Sequence, residues 1–262
     1  MNEKKKKKMK PYLRIRENGE FATQSIAFAK EGFGILGIPT ATFTHISQVP
    51  LSKGNMIVGF VNEVRGYLAQ LGISTPDIDY PEELTKYLGR KIKKIAINNA
   101  EIFMNENSQQ RYFIKPVIDK QFDAFIAEYL QDLARLKHFD KKTKIWISEY
   151  MKFESEFRCY IYNKKPLAIC KYRGYAVGEI DYSIVLEMAE TYVSAPVAYT
   201  LDVGLFESKL YLVEVNDAYS VQNYGLAVDK YVAWLMLRWS ELSGQEVKKC
   251  FVTLNKILKA KK

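Results

Sequence analysis

The sequence predicts an α+β protein in which a smaller α/β unit precedes a larger part built on antiparallel hairpins. Three observations lead there. Short apolar runs alternate with helix-like segments over the first 80 or so residues. Two pairs of alternating runs, 156–173 and 197–216, each fold back about a tight turn. The chain closes on a helix-like segment, 225–242, that is apolar on most sides and reads as deeply packed.

The elements follow in order. "YLRIRE" (12–17) reads as a strand and "EFATQSIAFAKEGF" (20–33) as a helix stopping near Gly32 or Gly34. "ATFTHI" (41–46) and "NMIVGF" (55–60) read as strands, and "VNEVRGYLAQLGI" (61–73) as a helix halted at Gly72. After the turn-rich "STPDIDYP", a short helix opens on Pro81, followed by strands "KIKKIAI" (91–97) and "RYFIKPV" (111–117). The polar "NENSQQ" places a domain boundary near Ser108, giving an N-terminal domain 11–108 and a second domain 109–254. Beyond it, Phe122, Phe125, Ile126, Tyr129, Leu130, Leu133 and Leu136 recur at helical spacing, so 121–136 is expected to be a helix with a core-facing stripe. "KIWISEYM" (144–151) reads as a strand.

With 262 residues and 48% hydrophobic content the chain can bury a sizeable core. Cys159, Cys170 and Cys250 are odd in number and lack C-x-x-C spacing, which predicts neither a disulfide framework nor a thiolate metal site and suits a reducing, cytoplasmic setting. No apolar run approaches the roughly 20 residues that span a bilayer, and no apolar core follows the basic start. The net charge of +9 lies in the tails: residues 1–10 hold six Lys and one Glu, residues 255–262 four Lys. The tails are expected to be solvated and disordered, and nucleic acid or an anionic surface to be met only nonspecifically through them.

Chemistry concentrates on the hairpins. With a three-residue loop at Glu207, Ser208 and Lys209, Phe206 faces Leu210 and Asp202 faces Glu214, with Asn216 one pleat further along. In strict alternation Leu210, Leu212, Glu214 and Asn216 share a face. Opposed carboxylates repel unless a cation lies between them, and all-oxygen donors favour Mg²⁺ or Mn²⁺ with phosphate and water completing the shell. Alternatively Asp202 caps a turn, Glu214 pairs with a lysine and Asn216 begins a loop. In the first hairpin a turn centred on Lys164 and Lys165 pairs Tyr162 with Leu167, Arg158 with Lys171 and Glu156 with Arg173. Three cations and one acid on one face suit a polyphosphate, or else form a solvated outer face. His45 and His138 lack the partners of a nucleophile–base set and are read as structural.

Together "RYFIKPVIDKQF", "ISEYMKFESEFRCYI", "CKYRGY", "YTLDVGL", "LVEVNDAYSVQNYGL" and "LRWSEL" resemble the ATP-grasp superfamily, in the clade named for two arginines and a lysine. The resemblance spans roughly residues 80–243 and implies two α+β lobes gripping ATP behind a smaller α/β domain. It implies that Lys115 reaches the α- and β-phosphates and that Lys120 lies in the loop covering them. Glu149, Tyr150 and Met151 then form the hinge that holds adenine, and Glu154 or Glu156 meets the ribose. Arg158, Lys171 and Arg173 become the clade's catalytic cations, and Asp202, Glu214 and Asn216 its metal ligands.

The implied activity is ADP-forming, carboxylate–amine ligation through an acyl phosphate, with ATP, Mg²⁺ (or Mn²⁺), a carboxylate and an amine as partners. Such catalysis rests on positioning and electrostatics and needs no protein nucleophile. A kinase of related fold would use the same ATP residues. A non-enzymatic protein binding nucleic acid or anionic surfaces through its lysine tails is the remaining alternative.

Overall fold

The computed structural model describes residues 9–106, 111–118, 121–175, 180–247, 252, 253, 255 and 256. Most of both lysine-rich tails, Ser108 and Lys120 lie outside them.

The first unit is a parallel sheet with two helices. β1 (Lys10–Arg14), α1 (Gln24–Ile35), β2 (Ala41–Phe43), β3 (Asn55–Val58) and α2 (Val61–Gln70) follow one another, with strand order β2-β1-β3. Thr23 starts α1 by accepting from the Ile26 amide at 3.3 Å, which satisfies one of the free donors of the first turn. α2 ends as expected before Gly72, whose φ of +74° suits a residue without a Cβ.

The second unit begins with a 3₁₀ turn, Glu82–Tyr87, behind Pro81. β4 (Ile92–Ala96), α3 (Ala100–Asn105), β5 (Tyr112–Pro116), β6 (Phe125–Ala127) and β7 (Lys144–Glu149) follow, and the strands form an antiparallel sheet ordered β4-β7-β5-β6. β4 pairs with β7 from Ile92–Ser148 to Ala96–Lys144, so this sheet reaches across the boundary expected near Ser108. Phe103 and Met104 of α3 share a core with Tyr112 and Ile147, which places elements from both sides of that boundary in one lobe.

Residues 121–136 are not the expected helix. β6 pairs with β5 through Phe113–Ile126, and a 3₁₀ helix covers Leu130–Leu136. The Asp132 carboxylate accepts from the Glu128 and Tyr129 amides at 2.8 and 2.9 Å, which fastens a turn where the helix was expected to continue. Phe125 and Ala127 point inward while Ile126 and Tyr129 are exposed, so the apolar spacing that mimicked one stripe is split between two elements.

The third unit contains β8 (Ser155–Tyr162), β9 (Lys165–Gly174), α4 (Tyr182–Thr191), β10 (Ala198–Phe206), β11 (Lys209–Asp217) and α5 (Val228–Ser243). Its antiparallel sheet is ordered β11-β10-β8-β9. α4 covers one face, where Phe157, Cys159, Ile161, Leu201, Val203 and Val215 meet Val185 and Met188. α5 ties this sheet to the first unit. Trp234 donates to the Ile161 carbonyl at 2.7 Å and Trp239 to the Lys53 carbonyl at 3.0 Å, both side chains being fully buried. Gly32 lets α1 lie directly on the start of α5, since a Cβ there would overlap the Val228 carbonyl. One hydrophobic cluster therefore runs from Leu13 and Phe33 through Trp234 to Tyr160, so the core of the first unit is continuous with that of the third.

Candidate active site

Arg158, Asp202 and Glu214 stand in one row across three strands. Arg158 of β8 is opposite Asp202 of β10, which is opposite Glu214 of β11. The Asp202–Glu214 pairing expected from the sequence is present, but a different turn delivers it. The connection is the two residues Glu207 and Ser208, both left-handed at φ 48° and 62°, with Phe206 opposite Lys209. Unmodified, that turn would set Asp202 against Val213. A β-bulge between Val203 and Asp202 leaves Val213 without an opposite number and restores the pairing.

The bulge also corrects the expected face. Leu212 and Val215 lie in the core beside α4, whereas Glu214 and Asn216 lie on the other side of the sheet. Strict alternation would have put Leu212 with Glu214; one extra residue reverses the phase. Arg90 caps the irregularity, its Nη1 donating to the Leu88 and Leu212 carbonyls at 2.9 and 2.8 Å and its Nη2 to the Val213 carbonyl at 3.0 Å. The Val215 amide donates to the Asp79 carbonyl at 2.9 Å.

The first hairpin departs further. Asn163 and Lys164, at φ 46° and 61°, make a two-residue turn that sets Tyr162 opposite Lys165, not Leu167. Two bulges follow, with Leu167 and Tyr172 as the extra residues. Glu156 pairs with Arg173 as expected, but Arg158 faces Cys170, and Lys171 moves opposite Phe157 on the α4 side of the sheet. The expected Arg158–Lys171 repulsion is absent because the second bulge places them on opposite faces.

The charged row is tightly compensated. Arg158 forks onto Asp202, Nε–Oδ1 2.9 Å and Nη2–Oδ2 2.6 Å, with both side chains buried. Burial pushes the Asp202 carboxyl up to about 6 despite the guanidinium, and the Glu214 charge adds to the rise. Lys115 Nζ lies 2.7 Å from Glu214 Oε2 and 2.9 Å from Asp79 Oδ2. Burial opposes charge on Lys115, but Glu214, Tyr80 and Asp79 hold its ammonium well above the ordinary lysine range. Burial likewise acts to raise Glu214, yet Lys115 and Asn216 hold it below the ordinary glutamate value.

The lysine partner that the plainer sequence reading gave Glu214 is thus present, within a larger cluster. Asn216 Nδ2 reaches Asp202 Oδ2 at 3.2 Å and Glu214 Oε1 at 3.1 Å. Amide oxygen and nitrogen exchange by a half-turn, which would converge three hard oxygens on one point. Among the described residues no three His, Cys, Asp or Glu groups converge on a metal position, so Asn216 is needed as the third donor. A donor set of two carboxylates and an amide fits Mg²⁺ or Mn²⁺.

Two cavities meet at this cluster. The first, about 520 Å³, opens between the β4-β7-β5-β6 sheet and the third unit; Lys115, Glu149, Tyr150, Met151, Glu156, Arg173 and Glu214 all line it. The second, about 390 Å³, lies toward α2 and is lined by Arg158 and Asn216, with Lys115 and Glu214 common to both. Asp202 sits beneath the junction. Glu156 accepts from Tyr172 and Arg173, each at 2.7 Å, and so positions both on the wall of the first cavity. Glu149 accepts from the Lys91 amide at 2.9 Å.

Lys171 lines neither cavity, and Glu154 lies outside both, accepting from the Glu207 amide at 3.1 Å beside the β10–β11 turn. Phe125 and Ile126, read from sequence as core, form part of the first cavity's wall. Sequence reasoning did not single out Asp79, Tyr80 and Arg90, which the segment before β4 brings to the site. The turn residues of "STPDIDYP" offered no periodicity to mark Asp79 and Tyr80. Phe153 also lines the first cavity, resting on Gly204, where any Cβ would overlap its ring.

A family model for an ATP-grasp domain, family 2 of the clade named for two arginines and a lysine, matches residues 87–234. No curated protein matches the chain by sequence. Among solved structures the fold is similar to D-alanine–D-alanine ligase from Bacillus anthracis complexed with ATP, at 14% identity and TM-score 0.60, covering 91% of this chain and 100% of that one. It is also similar to a RimK domain protein ATP-grasp from Sphaerobacter thermophilus DSM 20745, at 12% identity and TM-score 0.58, covering 87% and 99%. N5-carboxyaminoimidazole synthetase from Staphylococcus aureus gives 11% identity and TM-score 0.57, covering 92% and 79%.

Proposed function

The chain belongs to the ATP-grasp family, in the clade of two arginines and a lysine, and from that premise we propose that it is an ADP-forming, Mg²⁺-dependent carboxylate–amine ligase. The observation that supports this most is the junction of the two cavities at Lys115 and Glu214. One cavity suits a nucleotide and the other an acceptor, with the cationic and metal-binding side chains between them.

In this reading the Glu149–Met151 backbone receives adenine, and Lys115 moves from its two carboxylates onto the phosphates. The substrate carboxylate attacks the γ-phosphorus, its bond to the bridging oxygen breaks, and ADP leaves with that electron pair. Arg158 and Arg173 balance the charge that gathers on the transferring group. An amine then adds to the acyl carbonyl and expels phosphate, losing a proton to form the amide. Asp202, Glu214 and Asn216 would hold Mg²⁺, which neutralises phosphate charge when bound. Lys171, on the opposite face, has no part in this scheme.

The test is a thermal-shift series with ATP and Mg²⁺, followed by product analysis. Wild-type protein should show a metal-dependent rise that Glu214→Ala loses; ligand at 100 times its Kd contributes about 2.7 kcal/mol. Phosphate release in step with a new amide supports ligation. A stable phosphorylated product without free phosphate would instead identify a kinase, and no wild-type response to Mg-ATP would overturn the reading.

A further inference from the structure

The second cavity has three cations on its wall, Arg65, Lys115 and Arg158. Two already have carboxylate partners: Lys115 is held by Glu214 and Asp79, and Arg158 by Asp202. Arg65 differs. Its Nε donates to the Tyr219 hydroxyl at 2.7 Å, a neutral partner, and neither terminal nitrogen has a protein acceptor among the described residues. The nearby acids Asp77 and Asp79 favour the Arg65 charge only through space, being paired with Lys94 at 2.6 Å and Lys115 at 2.9 Å, and Asp123 also lies on the wall. Asp217, on the same wall, forms its own pair with Arg238 at 2.5 Å.

α2 carries Arg65 on the first-unit side of the cavity, and Tyr219 fixes the guanidinium by its Nε edge. The two terminal nitrogens remain as a fork, the arrangement that receives a carboxylate through two parallel hydrogen bonds. Lys115, Arg158 and Glu214 mark the reacting end, contributed by β5, β8 and β11. A cation that no carboxylate of the described residues touches, on the wall contributed by a different unit, suits a charge that the reaction leaves alone.

Resting on the ligase reading above, we infer that Arg65 is a specificity residue that binds a carboxylate not consumed in the reaction. The ligand is therefore either a dicarboxylate serving as the acyl substrate or an α-amino acid serving as the amine. At about 390 Å³ the cavity has room for either, and a third space of about 180 Å³ beside the start of α1 shares Tyr219 and Gln222 with it.

The test uses the full chain, with and without Mg²⁺ and a non-hydrolysable ATP analogue. Binding is measured by calorimetry for succinate, glutarate and the L- and D-α-amino acids, each beside its counterpart with one carboxylate converted to an amide. At least one free carboxylate should bind, and its amide at least tenfold more weakly. Arg65→Gln should abolish that preference, Arg65→Lys should retain part of it, and Tyr219→Phe, which keeps the cation, should preserve its direction. Binding by a dicarboxylate assigns Arg65 to the acyl substrate, and binding by an amino acid assigns it to the amine. Equal binding of acids and amides, an unchanged preference in Arg65→Gln, or no binding by any member of the panel overturns the inference. The nucleotide analogue reports separately: its failure to bind removes the ligase reading, while the panel without nucleotide still decides whether Arg65 selects a carboxylate.

Discussion

Arg90 donates to the carbonyl of Val213 at 3.0 Å, grasping the one residue of β11 that has no opposite number on β10. A bulge leaves backbone groups unpaired, and here a guanidinium fork from the segment before β4 takes two successive carbonyls. Glu214 faces the cavities because of that irregularity. Arg90→Met should destabilise the chain by about 2–3 kcal/mol, the typical result of leaving part-buried acceptors without a charged donor. Arg90→Lys should recover less than half of this, since an ammonium cannot span both carbonyls. Urea unfolding provides the measurement, and equal stability of Arg90→Met and wild type would contradict the role.

Lys115 stands between two carboxylates, so removing it leaves like charges facing each other in a largely buried place. Lys115→Met should lose roughly 3 kcal/mol at pH 8. With the cation gone, Asp79 and Glu214 titrate above their unfolded values, and the folded state then takes up protons that the unfolded chain does not. The deficit should therefore shrink as pH falls toward 5. Unfolding curves at the two pH values would show a constant deficit if the lysine acted through packing alone.

Asp202 titrates at about 6 in the folded chain, against an ordinary 3.8. Between those values the folded state holds a proton that the unfolded state has lost, so the contribution of this group to stability falls as pH rises through the window. A metal ion competes for the same oxygens. Mg²⁺ affinity in the presence of nucleotide should drop by about tenfold per pH unit below 6, with about one proton released per ion bound there. Calorimetry at pH 5.3 and 7.5 in buffers of different ionisation enthalpy would detect that proton, and pH-independent affinity would exclude Asp202 as a ligand.

Gly204 gives Phe153 its place on the sheet, and Phe153 in turn lines the first cavity. Gly204→Ala should force the ring off the strand, costing about 1–3 kcal/mol from overpacking. It should also weaken ATP binding by about tenfold while leaving affinity for acceptor carboxylates within twofold. Phe153→Ala in the same background should restore most of the stability.

Much of this arrangement was legible in the chain because strands and charged residues leave strong signals. The α/β and antiparallel units and α1, α2 and α5 follow from alternation and turn residues, whereas the Asp202–Glu214 and Glu156–Arg173 pairings were expected through other turn lengths and are present because bulges restore the register. Where expectation failed, a local bond outweighed a pattern. Asp132 fastened a turn inside what looked like a helix, and turns lacking glycine, at Asn163–Lys164 and Glu207–Ser208, gave no sign of their two-residue length. Bulges are invisible to periodicity, which is why Lys171 was set beside Arg158 when it lies on the other face. Arg90, Asp79 and Arg65 escaped notice because only folding brings α2 and the segment before β4 against β11 and the loop after it.

Because Lys115 and Glu214 belong to both chambers, neither compartment can fill unnoticed by the other. On the ligase reading, phosphates that drew the ammonium away would release Glu214 and Asp79 to face the second cavity with new negative charge. An occupant that alters this balance must shift the nucleotide's affinity by the same factor as the nucleotide shifts its own. On that same reading, a single buried lysine thereby ties the two affinities by one factor, whichever ligand binds first.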